Sequence, residues 1–230
     1  MATRILAILA LVVMLSACGG GGDAEDDASA PTQAGCRSTV TVQLFGDSTM
    51  AGYDGAQVDT YAVHTPLVNV QAFFDARYPG RVLVTSRAAS GTTARHLLTG
   101  TDGVNSPWPQ PVNADIVVVN FGINDRNQIN DIAEYRANLK RLAIAPARVV
   151  FQTPNVVKSF DIADYAQTMR EVAAEVGAPL ADVYAYTSAL PDWRTLIPDN
   201  AHPSDELYQR IGRDVTGPAL EPVVAELLCS

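Results

Sequence analysis

The chain of 230 residues has room for one domain with a self-sufficient core beyond an export segment, and its apolar fraction of 47% is ordinary for a packed protein. Its 25 acidic and 16 basic side chains give a formal charge of -9, which argues against nucleic acid as a partner, because phosphates are held by Lys and Arg. Four acids crowd into residues 23–27, and beyond residue 35 the balance is 21 acids to 15 bases, a mild excess that fits a neutral or cationic substrate or simply a solvated surface.

Residues 1–17 have the pattern of an export signal: Arg4, an apolar run from Ile5 to Leu15, then the small residues Ser16 and Ala17 before Cys18. The run is too short to span a bilayer comfortably. Leu15-Ser16-Ala17-Cys18 also resembles the bacterial lipobox, and that resemblance implies lipidation at Cys18, a membrane anchor and a place in the cell envelope. Residues 18–35 are mostly Gly, Ala, Ser and acid without apolar periodicity, so a flexible tether is expected ahead of a folded domain at 36–230. Cys36 and Cys229 then bracket that domain in a compartment where disulfides persist. Either a bridge or two idle thiols is compatible with the pattern.

From Thr39 onward, short β-branched runs alternate with helix-like ones. Strands are expected at 39–45, 81–86, 115–121 and 148–153, with a weak one at 178–183. Helices are expected near 66–77, 92–98, 131–143, 161–176, 204–215 and 218–228, punctuated by Pro146, Gly177 and Pro179. Such alternation builds βαβ units with right-handed crossovers, and so a three-layer α/β/α domain around a mainly parallel sheet of about five strands. Ligands in such sheets bind outside the carboxyl ends of the strands. The domain's first strand starts, and its last helix ends, at the opposite edge, which brings Cys36 and Cys229 together away from any chemistry.

Three segments follow those strand ends and a fourth lies near the C-terminus. "FGDSTM" places Ser48 at a strand-to-loop turn, although Gly-Asp-Ser is also ordinary turn and cap chemistry. "AASGTT" puts Gly91 where an unencumbered backbone N–H can approach a ligand, or where a helix merely starts. "FGINDR" offers the Asn124 amide as a neutral donor, and "IPDNAHPS" sets Asp199 three residues before His202, a spacing at which a carboxylate can orient an imidazole. Asp47 and Asp125 flank these residues and are read as loop scaffolding, since a carboxylate there opposes a developing oxyanion. His64 and His96 have no acid at comparable spacing and are read as surface or structural histidines.

Together the four segments resemble the blocks of the SGNH (GDSL-like) hydrolases: Ser48 in GDS, Gly91 in the second block, Asn124 in GxND, and Asp199 with His202 in DxxHP, in the family's order from about residue 40 to 203. Ser86 stands where the second block often has Asn. The GDST form is similar to that of rhamnogalacturonan acetylesterase-like members. The resemblance implies a flavodoxin-like sheet and ester hydrolysis without a metal or other cofactor. On this reading Ser48, Asp199 and His202 are catalytic, and the oxyanion is held by Ser48, Gly91 and Asn124.

The long connections at 50–66 and 99–115 are expected to shape substrate entry. Tyr53, Tyr61 and Trp108 in them are placed either to stack on substrate or to pin the loops. The substrate class that follows is a small-molecule, lipid or glycan ester. Two rival functions remain at this level: a metal-dependent hydrolase using Asp47, Asp125, Asp199 and His202 as hard ligands, and a catalytically idle envelope-binding lipoprotein. Oligomeric state is not legible.

Overall fold

The computed structural model describes residues 35–57, 60–110 and 112–230. The expected export signal, Cys18 and all but the last residue of the expected tether lie outside the described residues. Residues 36–230 form one unit around a five-stranded parallel sheet.

The strands are β1 (Val40–Gly46), β2 (Val82–Ser86), β3 (Ile116–Asn120), β4 (Arg148–Gln152) and β5 (Leu180–Ala181), in the spatial order β2-β1-β3-β4-β5. The helices are α1 (Ser48–Ala51), α2 (Pro66–Asp75), α3 (Ala94–Thr99), α4 (Ile132–Leu142), α5 (Ala163–Val176), α6 (Val183–Ala189), α7 (Trp193–Leu196), α8 (Asp205–Ile211) and α9 (Gly217–Leu228). This is the flavodoxin-like three-layer architecture.

The continuous apolar runs are explained by burial on both faces, with the two-residue period of a strand dividing the side chains between them. Phe45, Val117, Val119 and Phe151 point into one core with Leu97, Leu139, Met169 and Val172 of α3, α4 and α5. Val42, Leu44, Ile116, Val118 and Val150 point into the other, with Val70 and Phe74 of α2 and Leu220 and Val224 of α9. A third cluster, including Val183, Leu196, Leu207 and Ile211, joins α6, α7 and α8.

Strand order reverses between β1 and β3, whose carboxyl ends lie side by side with Gly46 opposite Asn120. Ligands in open α/β sheets bind at such a point. Gly46 is required there by close approach, because a Cβ would lie 2.5 Å from the Asn120 carbonyl oxygen. At the other edge, Cys36 and Cys229 are disulfide-bonded with Cα atoms 5.4 Å apart.

Several local expectations differ from the fold. The fifth strand is two residues long, and α6 starts at Val183, where strand was expected. The short α1 and α7 and a π-helical turn at Asp125–Ile129 are absent from the sequence reading. The two C-terminal helices are joined by a second π turn, Gly212–Thr216.

Candidate active site

Ser48 opens α1 directly after β1. Asp47 caps that turn: its carboxylate accepts from the Thr49 N–H at 2.9 Å and the Thr49 hydroxyl at 2.8 Å. The Thr49 hydroxyl also donates to Asn120 Oδ1 at 3.1 Å, tying the turn to the end of β3. The Ser48 hydroxyl is thereby set at the carboxyl edge of the sheet, on a backbone held from beneath.

His202 arrives from the other end of the domain. Its Nε2 lies 2.9 Å from Ser48 Oγ, and its Nδ1 lies 2.6 Å from Asp199 Oδ2. The second Asp199 oxygen accepts the backbone N–H groups of Ala201 (2.8 Å) and His202 (2.7 Å), so one carboxylate closes the turn and orients the ring. Burial raises the Asp199 carboxyl, but the hydrogen bonds from the His202 ring and from those two N–H groups outweigh it and hold it below its usual range. An ionised carboxylate can only accept, so Nδ1 carries the proton and Nε2 is left to accept from the Ser48 hydroxyl.

The opposite wall comes from the second and third segments. Gly91 has φ +75°, the left-handed region that glycine enters without penalty, and its carbonyl accepts from Gln128 Nε2 at 2.9 Å. Asn124 sits just before the π turn, and its amide donates to the Thr92 carbonyl at 3.0 Å. Asp47 Oδ2 is 3.5 Å from the same nitrogen, a contact too long to compete. The open groove that holds Ser48 and His202 is also lined by Gly91, Asn124 and Tyr53.

Asp47 and Asp125 are both buried, and burial is the main reason their carboxyls titrate high, Asp125 at about 7. Asp125 accepts from the Ala94 N–H at 3.1 Å, which ties the π turn to α3. Both serve as scaffolding. Among the described residues no group of three or more His, Cys, Asp or Glu side chains is placed to hold a metal ion.

Of the three aromatic residues singled out, Tyr53 lies at the groove, its ring centroid 4.6 Å from that of His202. Tyr208 fixes it by donating to the Tyr53 carbonyl at 2.8 Å. Tyr61 packs edge-on to Tyr53 and is 58% exposed. Trp108 is a core residue instead. It packs edge-on against Phe45, and its Nε1–H is satisfied by the Ile144 carbonyl at 2.9 Å. Likewise, no described residue of the 99–115 connection lines the groove, contrary to expectation.

The segment after β4 takes that place, with Ser159 and Phe160 on the groove wall beside Asn127 and Asn200. Its position after a strand's carboxyl end was the available signal. His64 pairs through Nδ1 with Asp205, 141 residues away, at 2.8 Å, and its backbone N–H donates to the same carboxylate at 2.6 Å. His96 closes a capping box with Thr93.

No curated protein sequence matches the chain. Solved structures do match in fold. An acetylxylan esterase from Geobacillus stearothermophilus is 19% identical with a TM-score of 0.61, covering 81% of this chain and 94% of its own. A lipase/acylhydrolase from Enterococcus faecalis is 23% identical with a TM-score of 0.62, covering 83% and 96%. A carbohydrate acetylesterase family member from Sinorhizobium meliloti is 18% identical with a TM-score of 0.60, covering 84% and 100%. The model of the GDSL-like lipase/acylhydrolase family matches residues 44–210, a stretch that begins just before the Ser48 turn and ends beyond His202. The chain therefore belongs to the GDSL-like lipase/acylhydrolase family and is a carboxylic ester hydrolase of that kind.

Proposed function

We propose that the protein removes short acyl groups, acetyl foremost, from glycan alcohols through an acyl-enzyme on Ser48. The observation that carries this reading is the relay Ser48–His202–Asp199, at 2.9 and 2.6 Å. His202 Nε2 takes the hydroxyl proton as Ser48 Oγ attacks the ester carbonyl, and Asp199 stabilises the imidazolium that forms. The proton then passes to the leaving alcohol oxygen. Water, deprotonated by the same nitrogen, attacks the acyl-serine and releases the acid.

The oxyanion is assigned to the backbone N–H groups of Ser48 and Gly91 and to the Asn124 amide hydrogen that Thr92 does not take. Donors placed in advance at the site of developing charge typically lower a barrier by about 3 to 4 kcal/mol each. The groove supports a short acyl group and a polar alcohol. It is open, and Asn127, Ser159 and Asn200 bring hydroxyl and amide groups to its rim, in keeping with hydroxyl-rich partners. The acetylxylan esterase among the structures of like fold is in accord with this choice.

A panel of p-nitrophenyl esters from acetate to palmitate, run beside acetylated oligosaccharides, tests the assignment. Acetate is expected to be the best aryl ester and the acetylated glycans good substrates. Preference for palmitate contradicts the assignment. We further propose export and anchoring through lipidated Cys18. The mature protein then carries acyl chains detectable by mass spectrometry, and an unmodified Cys18 sinks that part.

A further inference from the structure

Beyond the rim of the groove lies a second polar depression, on the far side of Phe160. Phe160 lines the Ser48 groove, whereas its neighbour Asp161 lines the second depression; likewise Asn127 faces the first and Arg126 the second. The two hollows thus draw on neighbouring residues of the same two segments, and Arg126 of the second lies 5.6 Å from the Phe160 ring of the first.

The second hollow gathers hydrogen-bonding groups that have no partner among the described residues. The Arg126 guanidinium makes no ion pair or side-chain hydrogen bond among the described residues, and it lies 5.6 Å above the Phe160 ring. The hydroxyl of Tyr165 is the one buried side-chain polar atom without a partner among the described residues, on a residue 4% exposed. A buried donor left unpaired is disfavoured by roughly 1 to 3 kcal/mol relative to a paired one, so native proteins seldom keep one without a use. The side chains of Asn130 and Asp164 also make no hydrogen bond among the described residues.

We propose that this hollow is a distal subsite for a neutral sugar residue, part of an oligosaccharide whose acylated residue sits at Ser48. The inference rests on the glycan-ester reading above. Arg126 and Tyr165 donate, Asp161 and Asp164 accept, and a sugar hydroxyl does both at once. Phe160, between the hollows, offers the ring against which a sugar's C–H face packs. A uronate gains Arg126 but meets the carboxylates of Asp161 and Asp164, so a neutral sugar fits better.

The test compares kcat/KM for acetylated xylotetraose, acetylated xylose and p-nitrophenyl acetate. Wild-type protein is expected to favour the tetraose over the monosaccharide by about tenfold or more, the scale of one added sugar contact. Arg126→Ala is expected to erase most of that advantage, read as the ratio of tetraose to aryl acetate. Tyr165→Phe, which keeps the ring and removes the hydroxyl, is expected to lower the same ratio severalfold through KM. Equal rates on the tetraose and the monosaccharide, or ratios unmoved in both variants, overturn the subsite while leaving the esterase intact. A larger gain with a glucuronate-bearing oligosaccharide overturns the choice of a neutral sugar. Wild-type protein inactive even on p-nitrophenyl acetate overturns the esterase reading itself, and the subsite with it.

Discussion

The two edges of the sheet are built on opposite plans. At the amino edge almost every group is paired: Cys36 is bonded to Cys229, Arg37 meets Asp115 at 2.6 Å, Arg148 meets Glu226, and Asp115 also accepts the Thr41 N–H at 2.8 Å. At the carboxyl edge the buried carboxylates of Asp47 and Asp125 rest on neutral N–H and hydroxyl donors, with no Lys or Arg paired to either among the described residues. The Tyr165 hydroxyl has no partner among the described residues. The disulfide and these ion pairs thus gather at the edge away from Ser48, while the edge that holds Ser48 carries buried carboxyls with displaced pKa values, as functional sites commonly do.

The comparison is broken most severely at Ser48. Ser48→Ala or His202→Ala is expected to reduce kcat on p-nitrophenyl acetate by about 10⁴-fold or more, with the melting temperature little changed. Full turnover in either variant removes the carboxyl edge from the mechanism. The amino edge gives the converse result. Replacing Cys36 and Cys229 with Ser is expected to lower unfolding free energy by about 2 to 5 kcal/mol in denaturant titrations while kcat stays near wild type below the melting transition. A large fall in kcat with stability unchanged contradicts the division of labour.

Asn124→Ala sharpens the picture within the site. It is expected to lower kcat about a hundredfold or more with a smaller change in KM, because the amide acts on charge that exists in the transition state. A rise in KM with kcat unchanged shows that Asn124 only binds substrate.

The smallest effect concerns Asp125. Its carboxyl titrates near 7 in the fold against 3.8 unfolded, so between those values the folded state binds more protons than the unfolded state. Its contribution to stability is therefore fully present below about pH 4 and is lost as pH rises through about 7. Asp125→Asn, which keeps an acceptor for the Ala94 N–H, is expected to flatten that decline and to add about 1 to 2 kcal/mol at pH 8. Melting curves from pH 4 to 8 that keep the wild-type slope in the variant refute this source of the decline.

Much of this arrangement was legible in the residues. Strands β1 to β4 announced themselves because burial on both faces leaves unbroken β-branched runs, the Ser48 and Asn124 segments are short local patterns just past strand ends, and the His202 segment is one in the turn that leads into α8. The Cys36–Cys229 bridge was one of two outcomes the pattern left open, and the topology favoured it. What escaped depends on convergence in space. Asp205 meets His64 across 141 residues, and Phe160 reaches the groove from a segment with no motif of its own. Trp108 stayed between two readings because an aromatic residue in a long connection looks the same whether it turns to substrate or, as here, inward onto Phe45. The four-residue α1 and α7 are too short to show a helical period, and β5 is only two residues long, against the six of the segment at 178–183.

The most direct measurement is intact-mass analysis after treatment with a fluorophosphonate, followed by peptide mapping. Only a serine whose proton is drawn off by a neighbouring base reacts readily with such a reagent. The account predicts a single adduct on the peptide containing Ser48, absent from Ser48→Ala and strongly slowed in His202→Ala. An unmodified protein, or an adduct that persists undiminished in Ser48→Ala, contradicts it.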